Sequence, residues 1–184
     1  MIKIKQTKPK DFETLLNVEL EAFKDDPEIN TLIHGIFRDP TAEPMISLLA
    51  YDRKKPVGHI LFTKARLKSD SDDGSLKPGG YILAPLAVIP EYQNRGIGGM
   101  LIMEGLRILK KMGVERCFVL GHKTYYPKHG FIPDACAAGW PAPYPIPDEN
   151  KDAWMWLDLR EHANTEKGRI VCADAMMKKE YWIE

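Results

Sequence analysis

At 184 residues the chain is long enough to bury a core without disulfides or metal, and it is expected to form one domain over residues 1–184. Its 26 basic and 26 acidic side chains cancel, which argues against a protein drawn to nucleic acid or anionic membrane by its overall field. With 44% hydrophobic and 28% charged residues the composition is that of an ordinary soluble protein.

The opening MIKIKQTKPK lacks the apolar core of a signal peptide, and no apolar run approaches the ~18–20 residues of a membrane span. Cys117, Cys136 and Cys172 are odd in number and widely spaced, which suits a reducing compartment and no zinc site. The expected location is the cytoplasm.

Ile2–Gln6 alternates apolar and polar residues, the period of a half-buried strand. Thr7 or Asp11 can cap the helix that follows, with Pro9 in its first turn. Phe12, Leu15, Leu16, Val18, Leu20 and Phe23 give that helix an apolar stripe, with Glu13, Asn17 and Glu21 off it. A second helix starts at Asp26–Pro27 and stops at Gly35 or Asp39–Pro40. Met45–Tyr51 and Val57–Leu67 form an antiparallel hairpin across the charged linker 52–56. Ser69–Gly80 reads as a solvated loop. Its Asp70, Asp72 and Asp73 suggest calcium, but with Gly74 as the loop glycine the last position is Gly80 where an EF-hand needs glutamate.

Tyr81–Val88 is a strand with Pro85 inside it. Proline has no N–H for a ladder, so the strand should bulge or splay there and free backbone groups for a ligand. A turn of glutamine, arginine and glycines then leads into an amphipathic helix from about Gly96 to Met112, closed by Gly113. Gly105 weakens that helix and marks a close approach to the sheet. The wholly apolar run Cys117–Leu120 suits a buried parallel strand, making residues 84–120 one right-handed βαβ unit. After it come a short helix within Gly121–His129 and a proline-rich loop, Pro133–Pro147, taken as a loop on the substrate side. A strand at Trp154–Leu159 and a last one near Ile170–Ala173 complete the elements, with the tail beyond about residue 163 unassigned.

The chemistry concentrates at Gln93-Asn94-Arg95-Gly96-Ile97-Gly98. Glycines let a diphosphate approach the main chain, and successive N–H groups at a helix start attract an anion. Arg95 can add charge-assisted hydrogen bonds. Gly-Gly-Met follows where a P-loop needs Gly-Lys-Ser/Thr, and residues 90–94 intervene where a dinucleotide fingerprint would abut its strand.

Leu86-Ala87-Val88, then Pro90 through Gly98, then Tyr125-Tyr126-Pro127-Lys128-His129-Gly130-Phe131 resemble the GNAT superfamily of acetyl-CoA-dependent N-acetyltransferases. With Val57–Ile60 and the proline-rich segment after Phe131, the chain is most similar to the YhbS-like branch. The resemblance implies an α/β (α+β) fold: a strongly twisted mixed sheet of about six to seven strands, splayed into a V and flanked by about four helices. It implies acetyl-CoA as cosubstrate and no metal. The pantetheine arm would lie along Leu86, Ala87 and Val88. The diphosphate would lie on Gln93, Asn94, Arg95, Gly96, Ile97, Gly98, Gly99 and Met100.

Tyr126, four residues before Gly130, matches the tyrosine that in many members protonates the departing thiolate. A phenol suits the task, being protonated at neutral pH with an ordinary pKa near ~10. The base is open. Residues 81–88 hold no acid, so His122 and, second, Glu21 are the candidates, directly or through water. The acceptor is a primary amine of a small molecule or peptide, with Trp140, Tyr144, Trp154 and Trp156 as an aromatic acceptor wall or dimer interface. The chain would act as monomer or homodimer, without nucleic-acid or membrane partners. A weakly active acyl-CoA sensor is the alternative, and a peptide-binding protein using the proline-rich loop is a third class.

Overall fold

The alternation of Ile2 and Ile4 with Lys3 and Lys5 forms the edge strand β1 (Ile2–Gln6) of a sheet that carries the candidate site near its centre. The computed structural model describes residues 1–69 and 75–182. Among the described residues, seven strands make one sheet: β1, β2 (Ile46–Asp52), β3 (Lys55–Lys68), β4 (Leu76–Val88), β5 (Arg116–Leu120) and β6 (Trp154–Asp158) in that order, with β7 (Arg169–Val171) paired to the far end of β3. Neighbours are antiparallel except β4 and β5, so the sheet is mixed and open. Three α-helices accompany it, α1 (Phe12–Ala22), α2 (Ile29–Arg38) and α3 (Ile97–Lys111), and a short 3-10 helix at Tyr126–His129 follows β5.

The hairpin expected at Asp52–Pro56 is present, tightened to a turn at Arg53–Lys54 with Arg53 at φ 55°. The proposed loop 69–80 is shorter than expected. Leu76–Gly80 pairs with Ala65–Lys68 as the start of β4, so two long strands run past Pro78, which lies where the register with β3 slips between Ala65 and Arg66. The acidic residues weighed for calcium, Asp70, Asp72 and Asp73, lie outside the described residues.

Residues alternate across β3. Gly58 lies against Ile97 and Leu101, and Phe62 lies under Gly105, so this face takes α3. A Cβ on Gly105 would fall inside the Phe62 ring, which is the close approach its presence in the helix foretold. His59 and Thr63 point to the other face, where they meet Glu19 of α1 and Met176 of the C-terminal segment.

The proline-rich stretch packs into the fold and does not stand as an open loop. Trp140 and Trp154 are buried with Phe118, Ile82, Leu61 and Cys172 in a second core. Trp154 stacks on Phe118 at 5.3 Å, and Trp140 packs against Trp156 at 4.8 Å. The indole N–H of Trp140 donates to the Glu166 carbonyl, that of Trp154 to the Trp140 carbonyl, and the Tyr144 hydroxyl to the Met177 carbonyl. The aromatic acceptor wall expected from these side chains is therefore a structural core. The same burial of Trp140 and Ala142 removes the exposed ligand that a peptide-docking segment would need.

Candidate active site

The site begins at Pro85. β3 advances two residues, from Ile60 to Phe62, while β4 advances three, from Leu86 back to Leu83, so the extra residue sits at Ala84–Pro85 as a bulge. β5 pairs with β4 at Tyr81↔Cys117 and Ile82↔Phe118, and the register goes no further. Beyond Leu83 the two central strands diverge, and Leu86 and Val88 line the gap between them. A residue without an N–H at this point is the sequence's reason for the divergence.

The turn after β4 is tied down from both sides. Gln93 donates its side-chain N–H to the Val88 carbonyl at 3.0 Å, closing the strand end. Tyr92 donates to Asp52 at 3.3 Å while its ring carries Lys55 and Arg95, and Lys55 pairs with Glu91 at 2.9 Å. Asn94 and Gly96 then take left-handed conformations, φ 59° and 78°, which turn the chain into α3. The first helical bond is Met100 N–H to the Gly96 carbonyl, so the N–H groups of Ile97, Gly98 and Gly99 have no intrahelical partner and give this end a partial positive charge.

The glycines divide their work. Gly96 faces open space, with nothing within 4 Å of a Cβ placed there. Gly98 and Gly99 are seats for side chains: a Cβ on Gly98 would collide with the Tyr125 hydroxyl, and one on Gly99 would lie 2.8 Å from His129 Cε1. Sequence reasoning gave both roles to phosphate, because the 3-10 helix that presses on α3 lies some thirty residues away.

Together these elements enclose a cleft of about 760 Å³. Its walls include Leu86, Val88, Gln93, Asn94, Gly96, Ile97 and Gly98 on one side and Gly121, His122, Tyr125 and Tyr126 on the other, with Phe23 from the end of α1 above. Four residues expected to touch the cofactor do not line this cleft. Ala87 is buried on the opposite face of β4 as the strand partner of His59, Arg95 stacks on Tyr92, Gly99 is covered by His129, and Met100 is exposed on the outer side of α3.

Tyr126 is buried, its ring wedged edge-on between Tyr125 and Phe131 and seated on Gly121, where a Cβ would lie 2.5 Å from Cε2. Tyr125 is half-buried, and burial holds its phenol above the ordinary value. His122 is exposed at the mouth, and its carbonyl accepts the Tyr125 N–H. Glu21 is exposed and lines no part of the cleft.

The buried acid is Glu19, two residues earlier, which sequence reasoning missed. It is fully buried against His59, whose second ring nitrogen lies 2.9 Å from the Ser47 hydroxyl. The available signal was helical period: Glu19 is four residues after Leu15, on the buried stripe.

A strand opened by a proline bulge, a glycine turn at its end and a helix start facing a tyrosine-lined gap thus converge on one cleft. A profile of the Acetyltransferase (GNAT) family matches residues 10–131, two-thirds of the chain. The chain belongs to the GNAT acetyltransferase family. It is 48% identical over 168 residues to YjhQ of Escherichia coli K12, named an uncharacterized N-acetyltransferase, covering 91% of this chain and 90% of that protein.

The fold is similar to that of the E. coli YhbS structure in complex with CoA, at TM-score 0.81, 22% identity and coverage of 96% and 92% of the two chains. It is also matched by a Brucella melitensis GNAT acetyltransferase in complex with acetyl-CoA, at TM-score 0.72, 25% identity and coverage of 96% and 98%. Among the described residues of this GNAT chain, no group of three His, Cys, Asp or Glu is placed to hold a metal, and no helix is long and apolar enough to cross a membrane.

Proposed function

We propose that the protein transfers an acetyl group directly from acetyl-CoA to a primary amine in a ternary complex. The observation that carries this is the divergence of β4 from β5 at Pro85, opening onto the unpaired N–H groups of α3. In that gap the Leu86 and Val88 backbone would run beside the pantetheine amides as a further strand. Gln93, Asn94, Gly96, Ile97 and Gly98 would hold the diphosphate on the helix end, where each favourable charge contributes roughly 0.3–1 kcal/mol, and up to ~2 when partly buried. The relatives solved with CoA and acetyl-CoA support the same ligand here.

The reaction asks for three things: a neutral amine, a polarised thioester carbonyl and a proton for the leaving sulfur. As the amine nitrogen attacks the thioester carbon, the C–S bond breaks and the thiolate takes a proton. Tyr126, buried in the cleft wall, is assigned as that donor. His122, exposed at the mouth, is assigned as the base that receives the amine proton, directly or through water. Phe23 overhangs the opening by which an acceptor would approach.

The test is thiol release from acetyl-CoA over a panel of amines and peptides. Acceptor-dependent release is expected, and Tyr126→Phe should lower turnover by roughly 10²–10⁴-fold with acetyl-CoA affinity kept. Full turnover in that variant removes Tyr126 as the acid, and no release with any acceptor supports an acyl-CoA sensor instead.

A further inference from the structure

Beneath α1 lies a polar chain that the donor cleft does not use. Glu19 and His59 are fully buried and joined through His59 Nδ1, and His59 Nε2 lies 2.9 Å from Ser47 Oγ. A lone carboxylate charge at full burial is costly: burial raises the Glu19 carboxyl, while the hydrogen bond and charge of His59 draw it down. With one proton shared between Glu19 and the imidazole, Nε2 would carry hydrogen and donate to Ser47. Ser47 would then have its own hydroxyl hydrogen to give elsewhere. It is buried, 6% exposed, and it forms part of the floor of a second cleft of about 620 Å³ between the start of α1, α2 and β2.

This second cleft shares no lining residue with the donor cleft. Phe12 lines one and Phe23 the other, eleven residues apart along α1, or about 16 Å at a rise of ~1.5 Å per residue. One wall is aromatic: Phe12 packs at 5.1 Å on both His34 and Phe37. Around it stand two cations, Lys8 and Arg38, and two carboxylates, Glu13 and Glu43, none of them in an ion pair with another of the described residues, although Glu43 accepts the Met45 N–H. A hydroxyl donor, opposed charges and aromatic faces suit a ligand that carries a carboxylate, an ammonium and a ring.

We propose that this cleft is a second binding site, for a zwitterionic α-amino acid with an aromatic side chain, whose carboxylate takes the Ser47 hydroxyl and the Arg38 guanidinium. It is separate from acetyl transfer and does not depend on it.

Calorimetric titration of the full chain with L-phenylalanine, 3-phenylpropanoate and phenethylamine tests the site. Phenylalanine should bind one per chain, equally with or without saturating CoA, and both analogues should bind about tenfold or more weakly. Arg38→Ala and Ser47→Ala should each weaken phenylalanine about tenfold, and Arg38→Ala should also erase its advantage over phenethylamine. Arg38 is exposed, so its variant keeps the test decisive if Ser47→Ala disturbs folding. No binding of phenylalanine, equal binding of phenethylamine, unchanged affinity in Arg38→Ala, or displacement by CoA would each overturn the proposal.

Discussion

Gly98→Ala separates two reasons for a glycine at the start of α3. As a helical substitution it should help, because alanine is favoured over glycine by roughly 0.5–1 kcal/mol. Its Cβ, however, would collide with the Tyr125 hydroxyl oxygen, while Tyr125 Cζ at 3.5 Å and Leu86 Cδ2 at 3.6 Å are ordinary contacts. Forcing Tyr125 from its seat is overpacking, which costs about 1–3 kcal/mol. The net expectation is a loss of about 1–2 kcal/mol, or a melting temperature lower by ~2–8 °C for a chain of this size. Tyr125→Phe removes only the colliding oxygen. In that background the same Gly98→Ala change should be neutral or stabilising by up to ~1 kcal/mol. Urea unfolding of the four proteins measures the coupling. A coupling below about 0.5 kcal/mol, with alanine equally harmful in both backgrounds, would refute the contact as the cause.

Three other changes probe the frame. Gly105→Ala drives a methyl into the Phe62 ring and should destabilise by about 1–2 kcal/mol despite better helix propensity; a gain in unfolding free energy would contradict the packing of α3 on β3. Glu19→Gln tests the buried pair through pH. The raised Glu19 carboxyl contributes its stability fully below its unfolded value near 4.5 and loses it as pH rises toward the higher folded value. The stability difference between wild type and Glu19→Gln should therefore shrink with rising pH above about 4.5, and a constant difference would argue against a proton held there. Acid measured as Tyr126→Phe turnover, described above, completes the set, with thiol release as its readout.

Much of the candidate site was legible in the chain because its parts are local. Pro85, the glycine turn and the apolar run Cys117–Leu120 follow one another in sequence, and each acts on the backbone where it stands: a missing N–H, a left-handed turn, a strand buried on both faces. Gly105 was readable for the same reason, since a helix-weakening residue inside an amphipathic pattern marks a close approach. What escaped depends on distant partners. His59 meets Glu19 and Ser47 across 40 and 12 residues, and each looks like an isolated polar residue until β2, β3 and α1 are stacked. The tryptophans escaped because proline-rich sequence suggests an exposed loop. Here the loop covers Leu61, Ile82 and Phe118, and its Trp140, with Trp154 of β6, supplies the apolar area that a helix would otherwise bring.

The donor cleft itself is open to a direct test at Gly96. Its Cβ position is empty, its left-handed conformation is one that Asn and Asp tolerate, and it caps α3, so Gly96→Asp and Gly96→Asn should both fold. They differ by one negative charge beside the site assigned to the diphosphate. At about 5 Å and an effective dielectric of ~20, that charge is worth ~3 kcal/mol per unit of phosphate charge, on the order of a hundredfold in affinity. Titration with acetyl-CoA should show one molecule bound per wild-type chain, near-normal affinity for Gly96→Asn and a loss of at least tenfold for Gly96→Asp. No binding to the wild type, or equal binding to the Asp and Asn variants, would contradict an acyl-CoA held at the start of α3.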